Sequence, residues 1–156
     1  MESTVLNSNW LVASEIELIY KSKVKASERP RIDSSYSAFQ IALKAWNQNK
    51  IELLEQFKVL MLSNSNAVLG VLEISSGGIT GTIVDIRLLF AALLKAKATA
   101  FILVHNHPSG KLQPSDADRQ ITQKIKQASK LLDIALLDHL IITSESYYSF
   151  ADKGVL

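Results

Sequence analysis

The 156-residue chain contains no cysteine. That excludes disulfides and thiolate metal sites, so any metal would take nitrogen and oxygen ligands. It has little net charge, +2 from 17 basic and 15 acidic residues. The balance gives no concentrated basic surface of the kind a DNA-binding domain uses. Apolar runs are short and none approaches the ~20 residues of a membrane-spanning helix. The opening "MESTVLNSNW" lacks the basic and apolar regions of a secretory signal. A cytoplasmic location is therefore the default expectation, with no membrane partner. Proline is also scarce, at three residues, and two of them lie in one twenty-residue stretch, "FILVHNHPSGKLQPSDADRQ".

What is present reads as an α/β protein. Residues 1–12 form a loose end, and 13–156 a single domain. "SEIELIYKSKV" alternates Ile16, Leu18 and Tyr20 with Glu15, Glu17 and Lys21, predicting a strand. "SYSAFQIALKAWNQN" sets Ala38, Ile41, Ala42, Ala45 and Trp46 on one helical stripe. "QFKVLMLSNSNAVLGVLEIS" reads as two strands of a hairpin around "SNSN". "IRLLFAALLKAKA" is a helix nearly apolar all round, predicted to be well buried. "TAFILV" has the continuous apolar character of a central strand. "SDADRQITQKIKQASKLL" predicts a long amphipathic helix with Ile121, Ile125, Ala128 and Leu132 inward. "IALLDHLIIT" and "SYYSFA" close the domain as strands around Ser144–Glu145. Interleaved strands and helices give one α/β layer structure.

His105 and His107 follow "FILV" as residues i and i+2, which share one face of an extended segment. Two imidazoles can then converge on one ion, at a strand end where α/β proteins place ligands. Asp118, eleven residues beyond His107, supplies an oxygen if the loop holding Pro108 and Pro114 folds back. Three protein ligands with an open fourth position are the pattern of a catalytic zinc site. Each part has a plainer reading. Ser115 and Asp118 fit a helix cap with an acid three residues on, and an isolated H-x-H is often a solvated loop end. The contiguous letters "HNH" do not indicate the nucleases named for them, whose residues are dispersed.

His105-x-His107, then Ser115 and Asp118 at their offsets, resembles the JAMM motif of JAB/MPN metalloproteases. "HNHPSG…PSDAD", with "LLDHLIIT", "EISSGGITGT" and "IRLLFAALL", is similar to the RadC-type bacterial branch, over roughly residues 30–151. The resemblance implies a cytidine-deaminase-like α/β fold, a mixed sheet flanked by helices. It implies one Zn²⁺ per chain held by His105, His107 and Asp118. It further implies a zinc hydrolase cleaving an amide or isopeptide bond of an unidentified peptide or protein. An upstream glutamate would act as general base, with Ser115 donating to the oxyanion. Glu55, just before "FKVLML", and Glu73, in "VLEISSGG", compete for the glutamate role. Position before the strand favours Glu55.

Other residues read more plainly. His139, beside Asp138, is either a packed core histidine or support for a ligand. Thr80, Gly81 and Thr82 form a turn, since "GGITGT" lacks the lysine of a phosphate loop. Lys124, Lys126 and Lys130 form a solvated helix face. Two alternatives to the hydrolase stand beside it. One is a nucleic-acid-binding, DNA-repair-associated protein, although no helix-hairpin-helix region matches here. The other is a non-catalytic interaction module. Whether the chain works alone, as a dimer or beside a partner is left open.

Overall fold

The computed structural model describes residue 17 and residues 19–78 and 83–156. The loose end at 1–12 and the turn residues Thr80, Gly81 and Thr82 lie outside these. After a 3₁₀ turn at Ala26–Glu28 come α1 (Ser35–Lys44), β1 (Gln56–Leu62), β2 (Val68–Ser76), α2 (Ile86–Lys95), β3 (Ala100–Asn106), α3 (Asp116–Leu131), β4 (Ala135–Ile142) and β5 (Tyr147–Ser149). The strands form one mixed sheet in the order β2-β1-β3-β4-β5. Both β1–β2 and β1–β3 are antiparallel, β3–β4 is parallel and β4–β5 is antiparallel. This is the expected mixed sheet flanked by helices.

All seven residues of β3 are buried, as are all seven of β1. Their apolar runs need cover on both faces, and the helices supply it. Ala100, Ile102 and Val104 of β3 pack toward α1 with Phe39, Ala42 and Trp46. Phe101 and Leu103 pack on the other side with Leu89, Phe90 and Leu93 of α2 and Ile125 of α3. This alternation assigns the next two residues. His105 continues the α2/α3 face, and Asn106 the α1 face.

Three expectations are corrected. The strand expected over 14–24 lies partly outside the described residues, and residues 19–24 form none. Ile19, Tyr20 and Val24 stay exposed, since residues 19–24 pair with neither edge strand, β2 nor β5, and alternation unpaired stabilises nothing. Helix α2 is not buried all round. It lies against one sheet face, so Leu89 and Leu93 are inside while Leu88 and Leu94 are 47% and 55% exposed. Helix α3 buries Thr122, Ile125 and Ser129 rather than the whole predicted stripe, and Leu132 is exposed.

Candidate metal centre

The mixed sheet gathers one rim of the molecule. Because β1 runs antiparallel to β3 with Phe57 opposite His105, going two residues back along β1 and two onward from β3 leads to Glu55 and His107. Parallel β4 ends at the same rim, where Ile142 accepts a hydrogen bond from the His107 amide at 3.1 Å. Beyond it, His107–Gly110 form a turn closed by Gly110 N–H donating to His107 C=O at 3.0 Å. Pro108 suits its second position, and Gly110 takes φ +81°, where a side chain would be strained. The returning loop delivers Ser115 to the N-cap of α3. Asp118 N–H donates to Ser115 Oγ at 3.1 Å, and Ser115 N–H donates to Asp118 Oδ2 at 2.7 Å. The predicted capping box therefore forms.

It forms without removing Asp118 from the histidines. His105 Nε2 lies 3.2 Å from Asp118 Oδ1, His107 Nε2 3.4 Å from Oδ2, and the two Nε2 atoms 3.0 Å apart. Bonds of ~2.0–2.1 Å in a tetrahedral shell place neighbouring ligand atoms about 3.3 Å apart. The observed spacings fit such a shell. The three residues offer one ligand atom each, all within 4.8 Å of one another, so the group could bind a metal ion. Two nitrogens and a carboxylate oxygen match zinc in a chain that has no thiolate.

The electrostatics agree. Burial opposes the charge of Asp118, but contact with the two imidazoles overcomes it and holds the carboxyl far below the usual range. Burial also opposes a charged His107. Asp118, the Lys111 carbonyl and the Glu55 charge outweigh burial and raise its pKa. The site thus attracts positive charge.

Behind the ligands lies a polar support. His105, fully buried, stacks on Phe57 at 7° between planes. Its Nδ1 is 2.8 Å from Nε2 of His139, whose own Nδ1 is 2.6 Å from Thr122 Oγ1. His139 is buried completely, which pushes its pKa well down, as does the neighbouring His105. Asp138 does not touch the imidazole of His139. It accepts from Ser149 Oγ, His139 N and Ala151 N, and holds the β4–β5 corner.

The two glutamates separate. Glu55 is part-buried at the rim, and its charge reaches His107. Its C=O accepts from Gly77 N–H at 2.8 Å, and its N–H donates to Gly78 C=O at 3.3 Å. Glu73 pairs in register with Lys58 on the α1 face, opposite His105, and accepts from Gln56 Nε2 at 2.7 Å. Lys126 leaves the solvated face to donate to Leu156 C=O.

Sequence reasoning missed two residues. Asn106, the middle letter of "HNH", is fully buried. Its amide donates to Ile51 C=O at 2.7 Å and Leu54 C=O at 2.9 Å, and its oxygen accepts from Gln56 N–H at 2.8 Å. It thereby fastens the segment carrying Glu55 to the strand carrying His105. Thr122 is the other, one turn beyond Asp118. A short polar side chain at a position that burial should make apolar was the available signal for both.

Beside His107 opens a polar recess of about 250 Å³, lined by Glu52, His107, Ser109, Thr143, Ser144 and Glu145. A larger groove of about 410 Å³ lies along Lys126–Leu136 but contains none of the ligand groups. The smaller recess adjoins the site through His107 alone among the three residues. No described helix is long and apolar enough to cross a membrane.

Comparison with known proteins shows a match to the model of the RadC-like JAB domain over residues 32–155. The chain is 58% identical over 101 residues to a UPF0758 protein of Flavobacterium johnsoniae, covering 65% of this chain and 44% of that one. A UPF0758 protein of Chlorobaculum parvum is 41% identical over 105 residues, 67% of this chain and 47% of its own. One from Syntrophotalea carbinolica is 34% identical over 146 residues, 92% of this chain and 64% of its own. The chain spans about half the length of the curated relatives it matches.

Proposed function

We propose that this chain, which belongs to the RadC-like JAB family, is a zinc-dependent hydrolase of amide or isopeptide bonds. The observation that carries the reading is the convergence of His105, His107 and Asp118 at tetrahedral ligand spacing.

His105, His107 and Asp118 would hold Zn²⁺. The ion supplies Lewis acidity, to a substrate carbonyl and to a water molecule. Glu55 acts as general base, taking a proton from water and returning it to the leaving amine. Its backbone is held by Gly77 and Gly78 on one side, and its two neighbours by Asn106 on the other, which orients the carboxylate with little reorganisation. Ser115 donates its hydroxyl hydrogen to the carbonyl oxygen as that oxygen becomes negative. One of its two lone pairs is taken by Asp118 N–H, and the hydrogen has no acceptor among the described residues. The recess beside His107 receives the substrate flanking the scissile bond.

The test is a mass-resolved cleavage screen of peptides and isopeptide-linked conjugates, with zinc-loaded chain, chelator-treated chain and Glu55→Gln. Cleavage only by the zinc-loaded wild type is expected, and Glu55→Gln should retain zinc. A blank screen, or turnover unaffected by Glu55→Gln, removes the reading or the base respectively.

A further inference from the structure

His139 sits where a core residue would, between Phe57 and Phe150, yet both of its ring nitrogens are in hydrogen bonds. The direction of those bonds can be worked out from the far end. Thr122 Oγ1 is 2.6 Å from the Asp118 carbonyl oxygen. A carbonyl only accepts, so the one hydroxyl hydrogen of Thr122 is committed there. Thr122 Oγ1 must then accept from His139, which puts a hydrogen on His139 Nδ1.

Among the described residues no carboxylate side chain hydrogen-bonds the His139 ring; its polar partners are a hydroxyl and another imidazole. A cationic ring at zero exposure would be an unpaired buried charge, so the ring is neutral. A neutral imidazole has one N–H, so His139 Nε2 is an acceptor and takes Nδ1–H of His105. His105 then carries its lone pair on Nε2, so the hydrogen in the 3.0 Å contact between the two Nε2 atoms is carried by His107, which faces Asp118 Oδ2 at 3.4 Å. The order of three hydrogen bonds thus begins at a backbone carbonyl of one ligand residue and ends at the ring of another.

We propose that Thr122 is a positioning residue of the metal centre, which acts through His139 to fix the tautomer in which His105 presents an unprotonated Nε2. This rests on the metal-centre reading above. It adds a determinant that neither the motif nor the ligand geometry contains. Thr122→Val preserves shape and removes the acceptor. His139 then relieves its orphaned Nδ1–H by moving the hydrogen to Nε2, where it donates to His105 Nδ1. The His105 hydrogen is displaced to Nε2, into the path of the ion. Thr122→Ser keeps the hydroxyl and should keep the order.

The experiment uses the full chain with ¹⁵N-labelled histidine. Side-chain NMR above the ordinary imidazole titration range reads the tautomers without metal. Competition against a chromophoric chelator reads Zn²⁺ affinity. Expected are Nδ1–H tautomers at His105 and His139 in wild type and Thr122→Ser. Thr122→Val should show both inverted and a Zn²⁺ Kd raised about 10–100-fold. Wild type with His139 protonated at Nε2 overturns the proposal, and that reading needs no variant to fold. Thr122→Val with wild-type tautomers and affinity overturns it too. A chain that binds zinc but cleaves nothing defeats the hydrolase reading alone. One that binds no zinc defeats the metal centre, and the tautomers still decide the order.

Discussion

Replacing Asp118 by alanine should have two separable effects, since its carboxylate has two roles. Oδ2 accepts from Ser115 N–H at the start of α3, and both oxygens face the imidazoles. Losing its share of the cap costs about 1 kcal/mol. In a chain of this size that lowers Tm by about 3 °C. The second effect appears only with zinc. At a concentration a hundredfold above Kd, zinc stabilises the wild type by about 2.7 kcal/mol, or about 8 °C. If losing one of three protein ligands weakens binding about a thousandfold, roughly 4 kcal/mol, the same zinc adds less than about 0.1 kcal/mol. Calorimetric melts with and without zinc should therefore show the wild type rising by about 8 °C and Asp118→Ala hardly at all. Asp118→Asn retains an oxygen for Ser115 N–H, so it should keep the cap and lose most of the zinc response. An Asp118→Ala melt that rises with zinc as the wild type does would refute the ligand assignment.

Three further outcomes follow from other parts of the site. Asn106→Ala orphans Ile51 C=O, Leu54 C=O and Gln56 N–H. At about 1–3 kcal/mol for each buried group, denaturant melts should show at least ~3 kcal/mol of lost stability, and a loss below ~1 kcal/mol contradicts the role given to the side chain. Glu73→Gln should retain zinc and whatever turnover the wild type shows, because its carboxylate serves Gln56 on the opposite sheet face; abolished turnover would return the base to Glu73. Burial raises the Asp138 pKa against the opposing hydrogen bonds from Ser149, Ala151 and His139. Its folded form holds a proton more tightly than the unfolded chain, so this group stabilises below the unfolded value near ~3.9 and loses that contribution as pH rises through the folded value. The advantage of wild type over Asp138→Asn in melts should narrow with rising pH, and widening would refute the assignment.

The sheet and the convergence of His105, His107 and Asp118 were legible because they rest on short-range regularities. The β1–β2 hairpin follows from two β-rich runs around a polar turn, and β3 from an apolar run with no polar face. His105 and His107 could be paired because extended backbone has a period of two. Asp118 could be attached because the loop between has a defined proline and cap chemistry. Its cap and its approach to both histidines occur together, since a carboxylate has lone pairs for both. Asn106 and Thr122 could be marked as polar residues at buried positions, but their partners could not be read. Their partners are backbone groups or side chains fifty and seventeen residues away, and nothing in local pattern reports a distant orphaned carbonyl. Residues 19–24 of the strand expected over 14–24 form none for the converse reason. Alternation describes a surface that suits a sheet, but not whether an edge is there to receive it.

The reversal of direction at β3 has a consequence for how such a molecule can diversify. Since β1 begins where β3 and β4 end, the 47–55 segment and the Thr143–Ser146 turn both line the recess beside His107. Neither contributes His105, His107 or Asp118, the group that could bind a metal ion. Length can be added to either without moving a residue of the two inner strands. Reshaping what the molecule accepts is simplest at the Thr143–Ser146 turn, whereas on the other side the carbonyls of Ile51 and Leu54, tied to Asn106, limit insertions to positions before Ile51, such as Asn49.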